Sequence, residues 1–458
     1  MRANRILFFT VILIVAVLTA YYIPRVHPNL LFSAVFGLLV GLISFFKLEI
    51  GIYIIVFSML LSPEIKLAQV PGRDVVIRVD DFILVIVFFS WFARVAIDKG
   101  IGLLKKTPLN APVIAYVSAC IIFTLKGIIT GEVDALKSFF YVLKYVEYFL
   151  LFFMVSNVVK DEKDVKRYLK GALITLAIVT INGYIQIGAG LRVNAPFEDP
   201  LGGAVTGGEP ASIGGYMVIC LAIFISIILN MSNPLQKVMA GLAFIVMIPP
   251  FFQTLSRASY TAFAVMVLAV FIFTKKYRWI FGAVILAAIV AVPVLTPGNI
   301  SERVFETFEG RKVSTSFGQI TLDESSMERI DSWNNLIRNK LPKHLLTGFG
   351  VTGAGFIDGQ YFTVLGEVGL IGFGLFLWML FSIYRLSWKT YRFGKTDFAR
   401  AIAFGCFVSF MALLIHAVTA NTFIVVRIME PFWFLTALVA VLYRENSENT
   451  SIKKDLKL

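Results

Sequence analysis

The stretch 401–420, AIAFGCFVSFMALLIHAVTA, decides the class of fold. It holds no charged side chain apart from the imidazole of His416. A helix of about 20 residues rises about 30 Å, the thickness of a bilayer's hydrocarbon core. A soluble helix would show an apolar stripe and a charged face instead. Similar runs recur at 6–24, 29–46, 49–62, 81–97, 110–128, 138–157, 169–189, 211–230, 236–253, 258–274, 279–295, 361–383 and 424–442, fourteen in all. The third is short and the ninth ends at Pro249-Pro250, so 12 to 14 spans are expected. Of the 458 residues, 58% are apolar and 16% charged, against about 25% charged in soluble domains. A soluble enzyme, a disordered scaffold and a disulfide-stapled secreted domain are all excluded. The expected fold is an all-α polytopic membrane protein.

Charge gives the orientation. The net charge is +13, and cytoplasmic loops collect lysine and arginine. With the first residue inside, one set of loops carries 25 basic residues and the alternate short loops carry 8. Both termini are therefore expected in the cytoplasm and the long segment 296–360 outside. Met-Arg-Ala-Asn-Arg followed by an apolar run resembles a signal peptide but has no clear small-x-small cleavage site, so it reads as a retained first helix. The organisation expected is N-terminal spans over 1–295, a large outer loop over 296–360, C-terminal spans over 361–444 and a polar, frayed tail over 445–458. Cys120, Cys220 and Cys406 lie inside apolar runs and read as small fillers. His27, His344 and His416 are dispersed and read as packing or interfacial residues. No metal-binding motif, Walker motif or nucleophile elbow is present, so neither a metal nor another cofactor is expected.

Within the long loop, Ser325 and Glu328 stand at capping-box spacing. Met327, Ile330, Trp333, Ile337 and Leu341 then recur at steps of three and four, which predicts a helix lying on the membrane surface or covering the bundle. Gly348, Gly350, Gly353 and Gly355 follow, as a flexible return to the membrane.

Polar residues at a membrane edge are candidates for function. Arg257, in Leu255-Ser256-Arg257-Ala258-Ser259, sits among small residues that permit close approach; it reads equally as an interfacial anchor. Arg329 and Trp333 are four apart on one helix face, an arrangement suited to sugar or phosphate recognition or to a solvated salt bridge. Asp358 precedes Gly359-Gln360-Tyr361-Phe362 at the return to the bilayer and reads as a base or as a helix cap. Arg192 opens a Gly/Pro-rich outer loop. Lys144 with Glu147, and Arg427 with Glu430, are each three apart in one span and are expected to neutralise each other.

These residues carry a resemblance. The SRAS at 256–259, the Arg-x-x-x-Trp of Arg329 and Trp333, the LTGFG at 346–350 and the GQYF…GEVGLIGFGLF at 359–376 together resemble the O-antigen polymerase and O-antigen ligase superfamily. The specific part covers roughly 180–380. Where the family's return motif has His-Asn-x-Tyr, nine residues before its Glu, this chain has Asp358-Gly359-Gln360-Tyr361 before Glu367, so Tyr361 is kept and Asp358 replaces the histidine. The resemblance implies an enzyme of the bacterial inner membrane. It would transfer a glycan from undecaprenyl diphosphate to a sugar hydroxyl on the periplasmic side, polymerising O-antigen or exopolysaccharide repeats. It implies an oligosaccharide donor and a glycan acceptor as partners, membrane lipids around them, a chain-length regulator as a candidate protein partner and no nucleic acid.

Chemistry agrees with that reading. Loss of a lipid diphosphate builds negative charge, and arginine forks match phosphate geometry. Arg257 and Arg329 are therefore assigned to the diphosphate, with Arg192 as a weaker third; Trp333 and Tyr361 are assigned to substrate binding. Asp358 is the expected base of an inverting displacement, with Glu367 as the alternative. Two other readings stand beside this one: a ligase to the lipid A core, and a lipid-linked oligosaccharide flippase. A flippase calls for charged residues lining a mid-membrane cavity.

Overall fold

The computed structural model describes residues 28–68, 75–98, 104–197, 210–274, 311–315, 318–322 and 324–455. The expected spans 6–24 and 279–295, and most of the Gly/Pro-rich loop after Arg192, lie outside the described residues.

Long apolar runs become helices here because a backbone crossing hydrocarbon must satisfy its own N–H and C=O groups. The helices are α1 (Pro28–Phe46), α2 (Leu48–Leu61), α3 (Val79–Ile97), α4 (Asn110–Ile129), α5 (Ala135–Val158), α6 (Glu162–Gly188), α7 (Pro210–Asn230), α8 (Pro234–Phe252), α9 (Arg257–Phe273), α10 (Glu324–Asn335), α11 (Gln360–Phe393), α12 (Asp397–Thr419) and α13 (Val426–Asp455). Among the described residues, eight are long and apolar enough to cross a membrane: α4 to α8 and α11 to α13. The chain is an all-α multi-pass membrane protein. Among the described residues, two short antiparallel hairpins accompany the helices, β1 (Glu64–Ala68) with β2 (Val75–Arg78) and β3 (Arg311–Thr315) with β4 (Gly318–Leu322).

Helices α7, α12 and α13 form the buried centre. Around them, α12 packs on α7, α9 and α11, while α5 packs on α13 and α4 on α11. The rim helices turn apolar faces outward. On α8, Leu235, Val238, Met239, Leu242, Ile245 and Val246 are exposed at helical spacing, the inverse of a soluble amphipathic helix.

Helix α8 runs through Pro249-Pro250 to Phe252, matching the expected run 236–253, while two other expectations change. Pro250 cannot donate to the carbonyl of Val246, and the Tyr184 hydroxyl donates to that carbonyl at 2.9 Å. The tail is not frayed at 445: α13 runs on to Asp455. The loop helix α10 begins at Glu324, one residue before the expected cap. It passes into a π-helical turn over Leu336–Lys340. That wider turn shifts the register, so Leu336 is buried and Ile337, predicted to face inward, is exposed.

The glycine-rich return is docked, not flexible. Helix α11 breaks at Gly369, whose φ is 61°. The break leaves backbone groups to be satisfied, and the LTGFG segment satisfies them. Phe349 N–H donates to Gly366 O (3.0 Å), Gly350 N–H to Glu367 O (2.8 Å), Leu370 N–H to Leu345 O (2.9 Å) and Ile371 N–H to Leu346 O (3.1 Å). A Cβ on Gly348 would lie 2.5 Å from the Glu367 carbonyl, and one on Gly369 2.5 Å from Gly348 N. Both positions therefore need glycine, because two backbones meet there.

Candidate functional site

The loop end of the bundle gathers the ends of α6 and α8, the starts of α9, α11 and α13, and the end of α12. Hydrogen bonds tie these segments directly. Val193 N–H donates to Gln253 O at 3.0 Å, joining the connection after α6 to the end of α8.

Asp358 immediately precedes α11. The cap position belongs to Gly359, which makes no side-chain cap, so the helix-cap reading of Asp358 is excluded. Its carboxylate faces Arg329 instead, with Nε to Oδ2 at 3.3 Å across 29 residues of chain. The pair is partly open to water, 26% exposed at the arginine and 36% at the aspartate. Trp333, one turn after Arg329, donates its indole N–H to the Asp358 carbonyl at 2.5 Å. Its ring stacks on Phe362, centroids 4.5 Å apart and planes 12° apart. Leu336, Ala354 and Ile357 pack beneath as a small separate apolar cluster. Gly359, at φ 106°, fits between the Trp333 indole and the Val418 carbonyl, which a Cβ would approach to 2.7 Å.

A polar turn behind Asp358 holds it in place. Asn421 donates to Ile357 O (2.9 Å) and its carbonyl oxygen accepts from the Thr363 hydroxyl (3.0 Å). Gln360 accepts from Phe423 N–H at 2.9 Å. Next along the turn, Thr422 meets His416 Nδ1 at 2.7 Å, and His416 Nε2 lies 3.3 Å from the Ser259 hydroxyl. Ser259 in turn donates to Ser256, the N-cap of α9 at 2.9 Å. Hydrogen bonds therefore link the first turn of α9, where Arg257 is the first residue, to Thr422, whose chain neighbours Asn421 and Phe423 bond the segment around Asp358. His416 is fully buried, as a packing residue should be. Sequence reading passed over its connecting role, although the polar run Thr419 to Thr422 between two apolar spans was a visible signal.

The remaining candidates divide. Arg192 donates from Nε to Thr254 O (2.6 Å) and from an Nη to Leu255 O (2.7 Å). Leu255 holds a left-handed φ of 50°, uncommon for a side-chain-bearing residue, so Arg192 clamps the strained turn that presents Arg257. The Tyr361 hydroxyl donates to Leu414 O at 2.7 Å and anchors α11 to α12. Glu367 is buried and accepts from the Tyr145 hydroxyl and the Thr352 N–H, each at 2.8 Å. It fastens the glycine-rich return.

The acids of the paired charges within spans also have partners outside their own helices. Glu147 faces Asp81, Asp80 and Arg78, and Glu430 faces Asp80, Glu147, Arg78 and Asp81. Arg427 is also buried. Hairpin β1–β2 and the start of α3 bring these acids to α5 and α13, a long-range contact that spacing within one span does not reveal.

The chain matches no family model. No curated protein matches it either.

Proposed function

We propose that this chain is a membrane glycosyltransferase acting on a polyprenyl-diphosphate-linked oligosaccharide, with polymerisation of repeat units on the periplasmic face as the preferred activity. The observation that supports it most is the Arg329–Asp358 pair, a half-open cation and carboxylate on a stacked Trp333–Phe362 platform. Aromatic faces suit sugar rings, and a guanidinium suits a diphosphate.

The pairing suggests an order of events. Before substrate binds, Arg329 neutralises Asp358. An incoming diphosphate competes for the guanidinium, and Arg257 at the start of α9 supplies a second cation. Asp358, released, accepts the proton of the acceptor hydroxyl as its oxygen attacks the anomeric carbon and the C–O bond to the diphosphate breaks. The anomeric configuration inverts. The donor charge builds on the diphosphate, where Arg329 and Arg257 stabilise it. Both termini lie in the cytoplasm of a bacterial inner-membrane protein in this reading, from the basic-residue bias of alternate loops.

A deletion strain examined by glycan gel tests the proposal. Loss of the ladder with one capped repeat retained is the expected polymerase result. Loss of every repeat, with lipid-linked polymer accumulating, assigns the ligase. An unchanged ladder removes the transferase reading. The flippase reading draws on the buried charges of α3, α5 and α13, which lie inside the bundle.

A further inference from the structure

A cavity of about 720 Å³ opens between the first halves of α6 and α8. Its size falls within the range of about 300–1,000 Å³ usual for ligand sites. The packing of α6 and α8 explains why it forms. At the loop end the two helices are drawn together: the Tyr184 hydroxyl donates to Val246 O at 2.9 Å, and a Cβ on Gly183 would lie 3.0 Å from Pro250. Toward their first turns the cavity separates them. Leu173 of α6 and Met239 of α8 line it and stay 48% and 61% exposed, so the gap faces the bilayer. Behind it, Ile219 and Leu435 are buried, so the recess reaches the centre formed by α7, α12 and α13.

The wall suits an apolar chain. Most of its side chains are aliphatic or aromatic, and the hydroxyl of Thr175 is engaged by the carbonyls of Val56 (3.3 Å) and Gly171 (3.4 Å). A trapped water needs two to four polar partners, which such a wall does not offer. The depth matches one leaflet. The lining runs from Lys166 to Leu176 on α6 and from Tyr216 to Met231 on α7, rises of about 15 and about 22 Å. Half a bilayer with its headgroup region is about 20–22 Å. The mouth is cationic. Lys166 and Lys170 stand one turn apart on α6 and both line the cavity. Lys166 is held by Glu162 at 2.6 Å and lies 4.8 Å from the ring centre of Phe398, at the start of α12. Lys170 is exposed. Among the described residues, no acidic side chain lines the cavity.

We propose that this recess binds one anionic glycerophospholipid, with an acyl chain in the cavity and the phosphate at Lys170, beside Lys166. Lysines at a bilayer edge attract anionic headgroups. The basic-residue bias assigns this edge to the cytoplasm, so the lipid comes from the leaflet opposite the Asp358 segment. The site does not depend on the transferase reading.

Native mass spectrometry of the full-length protein, delipidated in detergent, tests this with phosphatidylglycerol and phosphatidylcholine of the same acyl chains. One phosphatidylglycerol per chain should bind first, and more tightly than phosphatidylcholine. Lys170→Gln should weaken that binding about fivefold and leave phosphatidylcholine unchanged. Ala243→Phe, which fills the cavity from α8, should abolish the tight site. Where Ala243→Phe does not fold, Leu173→Trp narrows the opening with the same expectation. Equal affinity for the two headgroups, or tight binding unchanged in either the lysine or the cavity variant, overturns the proposal. So does a co-purified polyprenyl phosphate that phosphatidylglycerol fails to displace and Ala243→Phe loses, because that lipid would then be the occupant.

Discussion

Asp358 and Asp80 each face an arginine at the loop end of the same bundle, yet their surroundings differ in water. The Arg329–Asp358 pair is a quarter to a third exposed, while Arg78 and Asp80 are sealed at 4% and 0%. An exposed pair is weak and can exchange partners, because solvent compensates either charge when the other leaves. A buried pair cannot: removing one member strands the other in a medium that does not solvate it. Similar residue types therefore form a water-accessible pair in one place and hold helices together in the other.

That contrast can be broken by substitution. The largest effect is expected on turnover: Asp358→Asn and Arg329→Ala should each lower repeat-unit transfer by about 10²–10⁴-fold at unchanged expression, measured with purified protein and lipid-linked donor. Activity near wild type in either variant would remove that residue from the site. Arg78→Ala should destabilise the bundle by about 3–5 kcal/mol, read as a lower midpoint of thermal or denaturant unfolding in detergent. Tyr145→Phe sharpens the comparison by testing a buried acid held by neutral donors. Loss of its bond to Glu367 should cost about 1.5–3 kcal/mol in the same unfolding measurement. The smallest effect is on the stability of Arg329→Ala, at about 0–1 kcal/mol. A loss there as large as that of Arg78→Ala would contradict the distinction between the two pairs.

Much of the site was legible in one dimension. Arg329 and Trp333 lie on one face because a helix repeats every 3.6 residues, and both turn toward Asp358 as that spacing allows. What local pattern could not show was the partner of each group. Arg192 bonds the carbonyls of Thr254 and Leu255, and Glu367 bonds Tyr145 and the Thr352 N–H, contacts that no local spacing indicates. The LTGFG and GEVGLIG segments read as two motifs, but they form one unit, since the break at Gly369 frees the backbone groups that residues 345–350 satisfy.

By itself the sequence determined that the chain crosses a membrane repeatedly as helices. Apolar length and the need for internal backbone bonding leave little else possible in hydrocarbon. It also marked which loops are basic and which polar residues interrupt apolar runs. Only tertiary structure decided which of those polar residues meet, because burial and pairing depend on contacts between segments far apart in the chain. The 29-residue span from Arg329 to Asp358 and the 349 residues separating Asp81 from Glu430 close only when the helices pack.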